Sequence, residues 1–205
     1  MRIAAFTGGR TISSARFRVR QLIAPLSKQS IDITEFPAYY SSWPPRKRWI
    51  RPFWLPVSMM QRLPGILKSH SFDMTILQRE MVSTLVTLER FTKQPRIMDV
   101  DDAVWLHRRG HNFKRILKIC DAAVCGNAFL ADYVGTVIPN VLVLPTLVDT
   151  MRFKPAISMA EGRGKLVIGW SGLHAGSKFL LSIERPLKVV LEKYSDAVLR
   201  IISDR

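Results

Sequence analysis

The stretch RIMDVDDAVWLHRRGHNFKRILKICDAAVCGN, Arg96 to Asn127, decides the fold. It begins with RIMDV (96–100), an apolar run of strand length, and ends on another, AAVCG (122–126). Between them FKRILKIC sets Phe113, Ile116, Leu117 and Cys120 on one side of a helix. Asn127 then stands as the N-cap of a further helix, AFLADYV. Strand, helix, strand over this distance is the unit from which parallel sheets are wound.

The alternation continues in both directions. Strands are predicted at 2–6, 31–36, 73–77 and 141–145, and helices at Ser14–Gln29 and Glu80–Lys93. In the first helix Ala15, Val19, Leu22, Ile23 and Leu26 share a face. The pattern predicts an α/β fold, a Rossmann-like doubly wound parallel sheet over residues 1–153. A composition break at 154–165, KPAISMAEGRGK, reads as a linker. After it come a strand at 166–170, a helix from about Ser177 to Tyr194 and a strand at 197–202. One β-α-β unit cannot cover both faces of its own sheet. Residues 166–205 therefore read as the truncated start of a second Rossmann-like domain.

Composition narrows the function classes. Of the 205 residues 47% are hydrophobic, so a core can form, yet no apolar run has the length of a bilayer span. The N-terminal MRIAAFTGGR is too short in apolar residues for a secretory signal. Cys120 and Cys125 both fall in apolar segments and read as free thiols of a reducing, cytoplasmic protein. Charge is the one extreme: 31 Lys and Arg against 16 Asp and Glu, a formal +15. From Trp43 to Lys68 there are cations at Arg46, Lys47, Arg48, Arg51, Arg62 and Lys68, and no acid. Trp43, Trp49, Phe53 and Trp54 are interleaved with them. That mixture suits an anionic membrane surface, or equally an inserted helix whose apolar side packs on the domain. Nucleic acid has charge alone in its favour and no recognition motif.

The acids of DVDD sit where open α/β sheets bind ligands, beyond the carboxyl ends of the strands. TGGR after the first strand and PTLVD after the sixth share that edge. Gly8 and Gly9 allow backbone N–H groups close to a ligand, and the helix after them presents a positive end. Arg16 and Arg20, one turn apart, are candidates for a phosphate or carboxylate, against the alternative of solvated surface arginines. Asp99 and Asp101 share a face if the strand continues, with Asp102 turned away. His107 and His111 follow, but no His or Cys stands at metal-ligand spacing. The acids are read as organising the loop or binding ligand hydroxyls rather than a metal. The alternative is helix capping and neutralisation of Arg108 and Arg109.

Taken in order, the glycine loop, SARFRVRQL, DVDDAVW, CDAAVCGNAFLADYV and VLVLPTLVDTMRFKP resemble the N-terminal domain of GT-B glycosyltransferases. The likeness is to the bacterial branch similar to the retaining group-1/family-4 enzymes. VIGWSGLHAGSKFLLSIERPLKVVLEKYSDAVLRII resembles the first β-α-β of their nucleotide-sugar domain. The resemblance implies sugar transfer from a nucleotide-sugar to a glycan, lipid-linked or other acceptor, without a catalytic metal and with no cofactor beyond the donor. It puts Gly8 and Gly9 at the cleft, and Asp99, Asp101 and Asp102, with His107 on the same loop, on the acceptor side. Ser171, Gly172 and Lys178 fall at the donor diphosphate. The chain departs from the family at PTLVD, where an Asn often follows the proline, and at Trp170, where many relatives have Arg. The acidic motif that holds ribose and sugar would lie beyond Arg205, so these residues alone are expected to bind nucleotide-sugars weakly, if at all, and to turn over none. The competing class is a non-catalytic, basic Rossmann-like binding module on the inner membrane face.

Overall fold

The computed structural model describes residues 1–40, 42–45, 47–83, 85–106, 110–155 and 166–203. His107, Arg108, Arg109, Arg46 and positions 156–165 of the expected linker lie outside the described residues. Contacts divide the chain into two units, Met1–Phe153 and Lys154–Arg205.

The first unit is built on six strands: β1 (Arg2–Thr7), β2 (Asp32–Pro37), β3 (Met74–Gln78), β4 (Arg96–Val100), β5 (Ala122–Cys125) and β6 (Val141–Val143). They lie in the order β2-β1-β3-β4-β5-β6, every pair parallel. This is the expected Rossmann-like sheet, with the sixth strand shorter than VLVLP. β1 reads as a nearly unbroken apolar run because it lies centrally and is buried on both faces.

Alternation along the strands separates the faces. Phe6, Leu77, Met98, Val100, Ala123 and Cys125 point to one side and join Ile66, Phe113, Ile116, Leu117, Leu130 and Val134 in the main core. Those partners come from α4 (Leu63–Ser69), α5 (Gly110–Leu117) and α6 (Ala128–Gly135). The side chain of Asn127 caps α6 by accepting from the N–H of Leu130 at 2.9 Å, as expected. On the opposite face lies the helical run after β1: α1 (Ser13–Ala15), a π-helical stretch Arg16–Arg20 and α2 (Gln21–Ser27). Ala15, Arg18 and Val19 are its buried residues.

Two sequence expectations change. The helix predicted over Glu80–Lys93 is instead an irregular loop ending in a short 3-10 turn, Glu89–Phe91. Glu89 is fully buried, and its carboxylate accepts from the N–H groups of Met81 (2.9 Å) and Thr87 (2.7 Å). A carboxylate that captures backbone donors in this way competes with the helical ladder, and β-branched Val82, Val86 and Thr87 resist it little. The segment after β2 forms a 3-10 turn (Arg48–Ile50), α3 (Arg51–Met60) and α4, with Pro52 and Pro64 in the first turns. Arg62, counted among the surface cations from the sequence, is buried between α3 and α4. It donates to the carbonyls of Phe36 (2.9 Å) and Thr7 (2.8 Å). Burial pulls its guanidinium down to about 10, with Glu89 partly offsetting. Gly65 lets α4 approach the stacked Phe6 and Phe36, since a Cβ there would come within 3.0 Å of Phe36.

The second unit consists of β7 (Leu166–Ser171), α7 (Ser177–Ser182), α8 (Glu184–Lys193) and β8 (Ala197–Ile202), the two strands parallel. Among its described residues only Ala197 is buried. No helix among the described residues is long and apolar enough to cross a membrane.

Candidate functional site

From β1 the chain moves to β2 on one side of it, then returns to place β3 on the other. That reversal is a topological switch point, where the loops leaving two adjacent strands diverge and open a crevice. A cavity of about 570 Å³ lies there. Gly8 and Ile12 line it from the β1 loop, Gln78, Arg79 and Glu80 from the end of β3, and Val104 from the loop after β4. Trp43, Pro44, Arg51, Trp54 and Leu55 close it from the segment after β2. The glycine loop and the DVDD loop thus open on the same edge.

The glycine loop is held by a bracket of side chains. Gly9 adopts φ +149, a conformation that side-chain-bearing residues rarely take. Its carbonyl accepts from Arg20 Nη2 at 2.5 Å, while Arg20 Nε binds Glu35 at 2.6 Å. Thr7 donates to the same carboxylate. Arg20, read from the sequence as an anion ligand, is thus engaged with Glu35 and the glycine loop in this structure. Arg16 is exposed, with its guanidinium 4.6 Å from the centre of the Phe17 ring.

The three acids serve two arginines. Asp99 faces the side of the sheet opposite the main core. It accepts from Arg18 Nη2 at 2.6 Å and Nε at 3.0 Å, while Arg18 Nη1 reaches the carbonyl of Leu144 at 2.7 Å. Burial pushes the Asp99 carboxyl up against the opposing pull of Arg18. β4 ends at Val100, so Asp101 and Asp102 do not continue the strand alternation. Both meet Arg79, Asp101 at 3.1 Å and Asp102 at 2.6 Å. Burial works against the Arg79 charge, but the two carboxylates outweigh it and raise its pKa further. Arg79 holds a left-handed backbone, φ 68, to make this reach, a cost accepted where geometry is over-determined. The acids thus neutralise cations brought from elsewhere in the chain, Arg18 from the helical run after β1 and Arg79 from the end of β3. The cations proposed from the sequence, Arg108 and Arg109, are outside the described residues. Among the described residues no three His, Cys, Asp or Glu side chains gather to hold a metal.

Trp105, two residues past Ala103, anchors the acid loop by stacking on Tyr133 at 3.8 Å and Phe113 at 5.6 Å. Gly110 passes so close to the Trp105 carbonyl that a Cβ would lie 2.4 Å from it.

At the floor of the cavity Gln78 is almost fully buried, and among the described residues nothing accepts a hydrogen bond from its Nε2. Sequence reading missed it, along with Arg18 and Arg79. Arg18 had a signal: it lies three residues from Ala15 and four from Leu22, a cation inside an apolar stripe.

In the second unit Ser171 ends β7, and Lys178 stands in the first turn of α7 with Nζ 5.0 Å from the Phe179 ring centre. The Gly172 N–H donates to the Ile202 carbonyl at 3.1 Å and is not a spare donor for a phosphate. Gly172 is needed there because Trp170 folds over it; a Cβ would stand 2.8 Å from that ring.

No protein-family model and no curated protein matches the chain. Among solved structures it is similar to S. aureus MnaA bound to UDP, with a TM-score of 0.66 and 12% sequence identity. That match covers 100% of this chain and 62% of the other, so the chain spans less than two thirds of that neighbour. At this identity the likeness shows the fold: Rossmann-like α/β, of the kind implied by the resemblance to GT-B enzymes.

Proposed function

We propose that the chain belongs to an enzyme acting on nucleotide-sugars and that its reaction is glycosyl transfer, retaining and metal-independent. The observation that carries this reading is the cavity at the switch point. It combines aromatic walls, Trp43 and Trp54, with polar groups at Arg51 and Glu80 and an unused donor on buried Gln78. Flat apolar faces beside a few directed polar groups suit the mixed surfaces of a sugar ring. The cavity then takes the acceptor glycan or the sugar head of a lipid-linked one. Gly8 lines it from the loop that also holds Gly9, and Asp101 and Asp102 act on it through Arg79, whereas Asp99 and Arg18 lie at a separate pocket. The UDP in the structural neighbour supports a nucleotide-sugar as donor. Ser171 and Lys178, at the carboxyl end of β7 and the start of α7, would meet the diphosphate. There the cation of Lys178 offsets charge that builds as the sugar leaves.

Saturation-transfer NMR on the purified chain with UDP, GDP and ADP tests the donor assignment. Signals are expected from one of these nucleotides and should weaken in Lys178→Ala. Equal signals in both proteins, or none from any nucleotide, would remove the reading. Transfer assays with the corresponding nucleotide-sugars then test the chemistry.

A further inference from the structure

Helix α3 is oriented against the usual rule for a surface helix. Trp49, just before it, and Phe53, Val57 and Met60 within it recur at helical spacing and form one stripe. Their exposures are 70%, 72%, 47% and 65%, whereas Ser58 on the other side is completely buried. Trp54 and Leu55 are turned inward as walls of the cavity. The helix thus spends its inner side on the cavity and presents its large apolar row to the outside. The segment thus divides: α4 packs on the domain through Ile66 and Gly65, as one of the two sequence readings has it, while the row along α3 does not.

We propose that the outward face of residues 47–60 docks on an anionic lipid bilayer. Charge selects this occupant. Lys47 and Arg48 are exposed at the N-terminal end of the stripe, and no acidic residue occurs from Trp43 to Lys68. Cations beside a row with Trp at its margin match the headgroup zone, where the basic groups meet lipid phosphates and the apolar side chains enter the acyl boundary. A second copy of the chain would bring the same cations face to face in a protein of net charge +15. A single-stranded nucleic acid could stack on Trp49 and Phe53, but the aliphatic half of the row, Val57 and Met60, suits acyl chains rather than bases. The proposal is independent of the transfer reaction. If both hold, the bilayer lies on one side of α3 and the cavity on the other, and the acceptor class is lipid-linked.

Vesicle co-sedimentation of the purified chain tests it, using phosphatidylcholine alone and phosphatidylcholine mixed with phosphatidylglycerol. Binding is expected only to the mixed vesicles and should weaken with salt. The double variant Lys47→Ser/Arg48→Ser should bind about thirtyfold more weakly, which is about 2 kcal/mol for two surface cations. Phe53→Ser/Val57→Ser should lose as much or more while keeping its circular dichroism, because both side chains are already exposed. Equal binding to the two vesicle types would overturn the proposal, as would full binding by either folded variant. So would a concentration-dependent dimer, abolished by Phe53→Ser, in a protein that does not bind lipid.

Discussion

Arg18 and Asp99 lie 81 positions apart in sequence, yet Arg18 Nη2 donates to Asp99 Oδ1 at 2.6 Å on the sheet face away from the main core. Both side chains are buried, so neither charge can turn to water when its partner is removed. Asp99→Ala should destabilise the first unit by about 3 kcal/mol, and Arg18→Leu by a similar amount. The double variant Arg18→Leu/Asp99→Ala should cost well under the sum, since no unpaired buried charge remains. Urea denaturation midpoints provide the measurement. Additive costs would show that the two residues act separately.

The pairing of Asp101 and Asp102 with Arg79 leads to a second expectation. A guanidinium already sits where a divalent ion would have to converge the two carboxylates. Calorimetric titration with Mg²⁺ or Mn²⁺ should give no saturable heat. A tight one-to-one site abolished by Asp101→Ala would contradict this.

Burial also determines the thiol chemistry. Cys120 is pushed up to about 12, chiefly by desolvation with Asp121 and Glu89 adding and Arg96 opposing; Cys125 is pushed up to about 11 by desolvation and Asp99, with Arg18 opposing. Both should resist iodoacetamide in the folded protein at mildly alkaline pH and react once urea unfolds it. The linkage has a definite sign. Above the ordinary thiol value of 9.0 the unfolded chain releases protons that the folded chain retains. Their contribution to stability is therefore complete below that value and is lost as pH rises toward 12. Rapid alkylation of the folded protein would count against buried thiols.

Local features were legible in the sequence. The six apolar runs became six strands, and Asn127 became the cap it was read as, because strand burial and capping depend on residues a few positions apart. Contacts between distant loops were not. Arg79 reaches Asp101 across 22 positions from a left-handed backbone, and nothing in either local pattern marks it. The helix expected over 80–93 failed for a related reason: its apolar spacing was adequate, but a buried carboxylate at Glu89 claimed the backbone donors. For α3 the composition revealed an amphipathic segment, while the direction of its apolar row depended on the cavity behind it.

Gln78 separates structural from functional need most directly. Its Nε2 lies buried at the end of β3 with no acceptor among the described residues, an arrangement that costs the folded state. If the group exists to meet a ligand in the cavity, an apolar residue of similar size should make the empty protein no less stable. Gln78→Leu is therefore expected to be neutral or to stabilise by about 1 kcal/mol. The same change should weaken retention of a ligand that accepts a hydrogen bond from it, by about tenfold for one neutral bond. Thermal melts with and without a panel of mono- and disaccharides measure both effects at once. The native protein should gain melting temperature with at least one sugar, and Gln78→Leu should lose that gain while melting as high or higher without sugar. A variant that melts well below the native protein would instead show that Gln78 is a structural side chain.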